Sequence, residues 1–194
     1  HQEARRQRQM CIRDSLWALR YSPTSQREQP LNVFGPPGIA SWYDRLAAAF
    51  GEWMTELTFP LNFQEVEDEA FTWAGGRVAT KPMFHGVPAN GYRFDLPDGA
   101  FVYTGDTGYH ENVVSLARDA DLMIIECALL DGSPEMPTHL RPSQVARIAK
   151  EASVKRVVLT HMYPDCDERD IVADCRQAYG GLVERGEDLK TYAL

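Results

Sequence analysis

Several features that would settle a function at once are missing from this sequence. It has four cysteines (Cys11, Cys127, Cys166 and Cys175) and no CxxC pair. Cys166 and Cys175 are nine residues apart, which is not a zinc-finger spacing, so a small cysteine-held zinc module is excluded. No apolar run approaches the roughly 18 residues of a membrane-spanning helix. Positive charge is in deficit: 20 Lys and Arg against 28 Asp and Glu give a net charge of −8. That argues against a broad basic footprint for nucleic acid, though not against a local groove. The GPPG stretch at 35–38 lacks the GK[ST] ending of a phosphate loop and is read as a tight turn with proline near a helix start. No internal repeat or low-complexity linker is present.

The composition is otherwise that of a globular chain, 44% hydrophobic and 10% aromatic over 194 residues, enough for one domain with a real core. Cys127 lies within LMIIECALL and reads as a buried thiol; cysteine use of this kind favours a reducing, cytoplasmic setting. The first fifteen residues, HQEARRQRQMCIRDS, carry four arginines and two acids, so the remaining 179 residues carry −10. RQRQMCIRDS resembles translated sequencing-adapter read-through. Residues 1–15 are therefore expected to be non-native, and 16–194 to form the domain. A solvated basic helix is the competing reading.

From Leu16 the patterns alternate. LWALRY reads as a short helix and LNVFG as a strand; the stretch from Ile39 to Met54 has helical apolar spacing. FPLNFQEVE, AFTWAG, RVATKPMF, GYRFDL and AFVYTG read as an antiparallel meander, with turn signals at Gly75-Gly76 and Pro97-Asp98-Gly99. Helix and strand then alternate through ENVVSLARDA, DLMIIECALL, SQVARIAKEASV, KRVVLTHM and RDIVADCRQAYGG, ending in the expected strands LVERG and KTYAL. This order predicts an α/β chain whose sheet is covered by helices on one face.

Three segments share one layout: an apolar strand followed by a ligand-type residue. RVATKPMF leads to His85, AFVYTG to Asp106 and KRVVLT to His161. Sites in layered α/β proteins gather at strand ends. Imidazole nitrogen and carboxylate oxygen are the ligands of zinc and similar ions. Any one of these residues alone reads as structural or as part of a turn. Three of them at three strand ends point to a metal site.

PMFHGVPANGYRF, VYTGDTG, DLMIIECALL, THLRPSQVARIAKEA and VKRVVLTHMYPDCD, in this order, resemble the metallo-β-lactamase superfamily, most closely its ribonuclease Z-like metallohydrolases. The resemblance covers residues 16–194 and implies an αββα sandwich, here incomplete at its N-terminus. It also implies a centre of two metals, usually Zn2+, with Mn2+ or Fe2+ as substitutes. It assigns His85, Asp106 and His161 as metal ligands, with Asp106 bridging. It assigns His139 as a proton donor or phosphate contact supported by Glu126, although Cys-Ala follows Glu126 where the family pattern has Ala-Thr after His-Glu. The implied reaction is hydrolysis of a phosphodiester or other ester by a metal-activated hydroxide.

The sequence departs from the family pattern in two places. The family's HxHxDH motif, which supplies three histidine ligands and an aspartate, is absent, and truncation ahead of LWALRY is the expected cause. That leaves the 194-residue chain expected to be inactive whatever its parent does. Only the ten residues DLPDGAFVYT separate Phe94 from Gly105, too few for the arm with which ribonuclease Z grips transfer RNA. A small ester or phosphodiester substrate is favoured over RNA, no membrane partner is expected, and a homodimer is admitted but not shown. Sulfatase, lactonase, thioesterase and redox members of the same fold remain alternatives. His110 is read as a loop or helix-start residue. Tyr163 and Asp165 are read either as lining the site mouth or as parts of a turn at Pro164.

Overall fold

The computed structural model describes residues 11–21 and 27–194. Residues 1–10, most of the segment expected to be non-native, lie outside the described residues. The first helix, α1 (Cys11–Tyr21), runs across the 15/16 boundary. The chain divides into two compact units, His1–Glu65 and Val66–Leu194. Among the described residues no helix is long and apolar enough to cross a membrane.

The first unit holds α1, β1 (Leu31–Gly35), α2 (Ile39–Phe50) and β2 (Leu61–Glu65). Gly38 caps α2 with φ of 92°, a left-handed conformation that glycine reaches without strain, which is what the GPPG turn requires. Its amide donates to Glu65 Oε1 at 2.9 Å. Leu16, Tyr43, Ala47, Met54 and Phe59 form this unit's core. The alternation around β2 suggests a place in the antiparallel meander. Instead the strand pairs with β1, parallel and in register from Leu31↔Leu61 to Gly35↔Glu65. Parallel pairing needs a long crossover, and α2 supplies it.

The second unit holds a seven-stranded sheet in sequence order: β3 (Ala70–Trp73), β4 (Gly76–Pro82), β5 (Asn90–Leu96), β6 (Gly99–Tyr103), β7 (Leu122–Glu126), β8 (Arg156–Thr160) and β9 (Leu182–Arg185). Neighbours are antiparallel from β3 to β6 and parallel from β6 to β9. The β3–β4 hairpin turns on Ala74 (φ 49°) and Gly75 (φ 81°) between the paired Trp73 and Gly76, the two-residue geometry that matches strand twist. The parallel half is joined by α3 (Glu111–Leu116), α4 (Pro142–Glu151) and α5 (Ile171–Tyr179). Val102, Met123, Ile125, Val157, Leu159 and Val183 bury one side of the sheet in a cluster with Val113, Leu116, Val145, Ile148, Ile171 and Cys175 of the helices. The mixed α/β class is as expected. The terminal KTYAL is not a strand. Its residues are held by side chains instead: Arg156 Nη1 donates to Ala193 O at 3.2 Å, and Lys190 pairs with Glu184 at 3.4 Å.

Strand direction decides where the site falls. Strand β4 is antiparallel to β5, and β5 to β6, so β4 runs the same way as β6, β7 and β8. The carboxyl ends of these four strands therefore lie along one edge of the sheet, and each leads into one of the expected site residues.

Candidate functional site

His161 directly follows β8, while His85 and Asp106 stand three residues beyond the ends of β4 and β6. Gly105, at φ 61°, turns the chain so that Asp106 leaves the strand direction. His161 itself has φ 51°, an uncommon conformation for a non-glycine residue that persists where surrounding contacts fix it. Its Nε2 stands 3.6 Å from Asp106 Oδ2, and both side chains reach solvent, at 25% and 39% exposure. An imidazole and a carboxylate at this separation, open on one side, can share a cation. His85 Nδ1 lies 3.3 Å from Thr138 O. Donation from Nδ1–H to that carbonyl leaves the Nε2 lone pair free to bind a ligand, the arrangement by which metal-binding histidines are oriented.

Glu126 ends β7 and is buried. It accepts from Thr107 N at 2.7 Å, Leu140 N at 3.0 Å and, more weakly, Ala128 N at 3.4 Å. His139 Nδ1 is 2.9 Å from Glu126 Oε1. Every neighbour of this carboxyl that makes a hydrogen bond is a donor, so Nδ1 carries the proton and His139 Nε2 presents a lone pair. Burial pushes the Glu126 carboxyl up to about 7, opposed by the Leu140 and Thr107 amides and by His161. Burial also lowers the pKa of His139, so its neutral form is favoured. The His139 ring lies 5.1 Å from that of His85 and 5.6 Å from that of His161.

Two loops interlock to hold this arrangement. Gly108 N donates to Phe84 O at 2.7 Å, and Phe84 N to Thr107 Oγ1 at 3.2 Å. A Cβ on Gly108 would lie 1.8 Å from Pro137 O, so glycine alone lets the GDTG turn pass under the loop that carries His139. His110 is the N-cap of α3, accepting from Asn112 N at 3.2 Å, and its ring stacks on Phe84 at 6.2 Å. Tyr163 comes closer to the site than a mouth residue: its hydroxyl is 3.3 Å from His139 Nε2. The sequence signals it only through its place two residues after His161. Asp165 falls in the 3-10 turn Pro164–Asp167.

The donor set fits a divalent metal in kind but not in number. Asp106 and His161 form a pair, yet among the described residues no three His, Cys, Asp or Glu side chains converge on one point. His85 is near the pair through His139 and does not complete a three-ligand cage.

A family model, the beta-lactamase superfamily domain, matches residues 16–162. The chain belongs to the metallo-β-lactamase superfamily, and it is similar to ribonuclease Z proteins within it. An uncharacterized protein of Mycobacterium leprae is 30% identical over 175 residues, covering 84% of this chain and 58% of the relative. A ribonuclease Z of Salinispora arenicola is 25% identical over 219 residues, covering 85% and 69%. The crystal structure of YhfI, a metallo-β-lactamase fold protein from Bacillus subtilis, superposes with a TM-score of 0.72 at 20% identity, over 92% of this chain and 69% of that one. The chain thus spans about three-fifths of the length of its mycobacterial relative.

Proposed function

We propose that the intact protein is a metal-dependent hydrolase of ester-type bonds, and of phosphodiesters first. The observation that supports this reading best is the delivery of His85, Asp106, Glu126 and His161 to one sheet edge, with Asp106 and His161 3.6 Å apart. Asp106 and His161 would hold a divalent cation, most simply Zn2+, and His85 would offer its Nε2. When bound, such a cation supplies Lewis-acid activation of water and of the substrate oxygen. His139, neutral and fixed through Nδ1 by Glu126, offers Nε2 as the proton-handling atom beside the reacting bond. Membership of a family that includes a ribonuclease Z adds to the phosphodiester reading.

The substrate is expected to be small rather than a long polyanion. The site loops, residues 83–89, 104–110, 127–141 and 161–170, carry two cations, Arg141 and Arg169, against seven acids, Asp106, Asp131, Glu135, Asp165, Asp167, Glu168 and Asp170. An RNA backbone would meet more repulsion than counter-charge there. Buried thiols at Cys127, Cys166 and Cys175, none of them paired, suit a reducing cytoplasmic compartment.

A second reading has its own support. Because no three donors converge among the described residues, the 194-residue chain by itself is expected to show only background turnover. The test is hydrolysis of bis(p-nitrophenyl) phosphate by the zinc-loaded intact protein and by the 194-residue chain. Asp106→Ala and His161→Ala should each lower kcat/KM of the intact protein by at least about 100-fold. Lack of turnover by the intact protein on phosphodiester, sulfate, lactone and thioester substrates alike would sink the hydrolase reading.

A further inference from the structure

Tyr163 stands outside the ligand and proton-handling roles assigned above, yet it contacts the group at their centre. Its backbone is fixed: Tyr163 N donates to Ala128 O at 3.2 Å, and Cys166 N returns to Tyr163 O at 2.9 Å as the 3-10 turn closes. Its ring packs against two imidazoles, 5.5 Å from His139 and 5.7 Å from His161, tilted by 56° and 62°. The hydroxyl then falls 3.3 Å from His139 Nε2.

With Nδ1–H committed to Glu126, Nε2 can only accept, and the Tyr163 O–H is the donor that reaches it. His139 is therefore held at both nitrogens, by Glu126 on the sheet side and by Tyr163 on the open side. A flip of the ring would put Nε2–H against the Glu126 carboxylate only by shifting the imidazole, and would leave the Tyr163 hydroxyl facing a ring carbon. We propose that Tyr163 is the positioning residue of this site. In this role it closes a Glu126–His139–Tyr163 hydrogen-bond chain that fixes the tautomer and ring orientation of His139. A hydroxyl 3.3 Å from its acceptor makes a weak bond, so a water or substrate hydroxyl that donates its proton to Nε2 displaces it at little cost, while the ring's place against His161 is kept. The consequence for the reaction rests on reading His139 as the proton-handling group; the consequence for the resting tautomer does not.

The experiment uses the chain labelled with 15N-histidine and long-range proton–nitrogen correlation spectra, with His139→Gln to assign the resonance. Tyr163→Phe keeps the ring and its packing and removes only the hydroxyl. The expected wild-type pattern is a protonated Nδ1 and a pyridine-like Nε2 shifted by an accepted hydrogen bond. In Tyr163→Phe the Nε2 resonance should move to that of an unbonded nitrogen, or the two tautomers should mix. On the intact enzyme the same variant should lower kcat about 10-fold, the size typical of lost outer-sphere support, with KM changed less than about twofold. An unaltered His139 spectrum in Tyr163→Phe would overturn the proposal, as would a wild-type Nε2 that carries the proton. A shifted spectrum with no hydrolysis by either enzyme would uphold the positioning role and count against the hydrolase reading instead.

Discussion

Two opposed effects set the behaviour of Glu126. Burial raises its pKa to about 7, while amides of Thr107 and Leu140 favour its charged form. An acid whose pKa is higher folded than unfolded stabilises the fold fully below the unfolded value of 4.5, and that stability is lost as pH rises through about 7. Stability of this unit should therefore fall between pH 4.5 and 7, by about 3 kcal/mol at most. Denaturant melts across that range check it, and Glu126→Gln should flatten the slope. The same substitution turns an amide NH2 toward a cluster of donors, so at pH 7 it should destabilise by about 1–3 kcal/mol. At this scale the sequence was informative where a residue follows a strand: Asp106 and His161 stand at the sheet edge and face each other. Glu126 and His139 were paired by resemblance alone; His139 Nδ1 lies 2.9 Å from Glu126 Oε1. Tyr163 was not legible as a partner of His139, because its position depends on how the backbone turns after the left-handed His161, and no local pattern records that turn.

At the scale of elements, the GDTG turn and the loop before His139 act as one piece. Gly108→Ala would drive a methyl into Pro137 O, and backbone must move to admit it. The expected cost is about 1–3 kcal/mol, the range for overpacking. Because Pro137 is two residues from His139, the change should also weaken the His139–Glu126 contact, visible as a displaced His139 resonance. Gly105→Ala meets a milder contact, Asn90 O at 3.3 Å, but a left-handed backbone, so its cost should arise chiefly from φ. The alternating half of the sheet could be read from sequence because each buried strand is followed by an amphipathic helix. The meander was readable too, and its register sets Phe94 opposite Phe101, with rings stacked at 4.4 Å. The pairing of β2 could not be read. Its alternation fits a parallel or an antiparallel partner equally well, and the choice was made by β1, thirty residues earlier. The KTYAL segment has strand-like composition, but ion pairs and a carbonyl contact hold it where a ladder would otherwise be needed.

For the whole molecule, charge is the most informative property. A net charge of −8, with acids outnumbering cations in the site loops, predicts that RNA oligonucleotides bind more weakly than about 10⁻⁴ M at physiological salt. Filter binding at near-physiological salt would check this, and tight, strongly salt-dependent binding would count against a small-substrate reading. Family membership accounts for why the donors lie at one edge, since a sheet whose strands end together gathers loops from distant parts of the chain. The central claim, that Asp106 and His161 are metal ligands, is tested most directly by calorimetric titration of zinc into the intact protein and into its Asp106→Ala and His161→Ala variants. The account predicts zinc binding by the intact protein that is weakened in both variants. Zinc binding unchanged by both substitutions, or no binding by the intact protein, would contradict it.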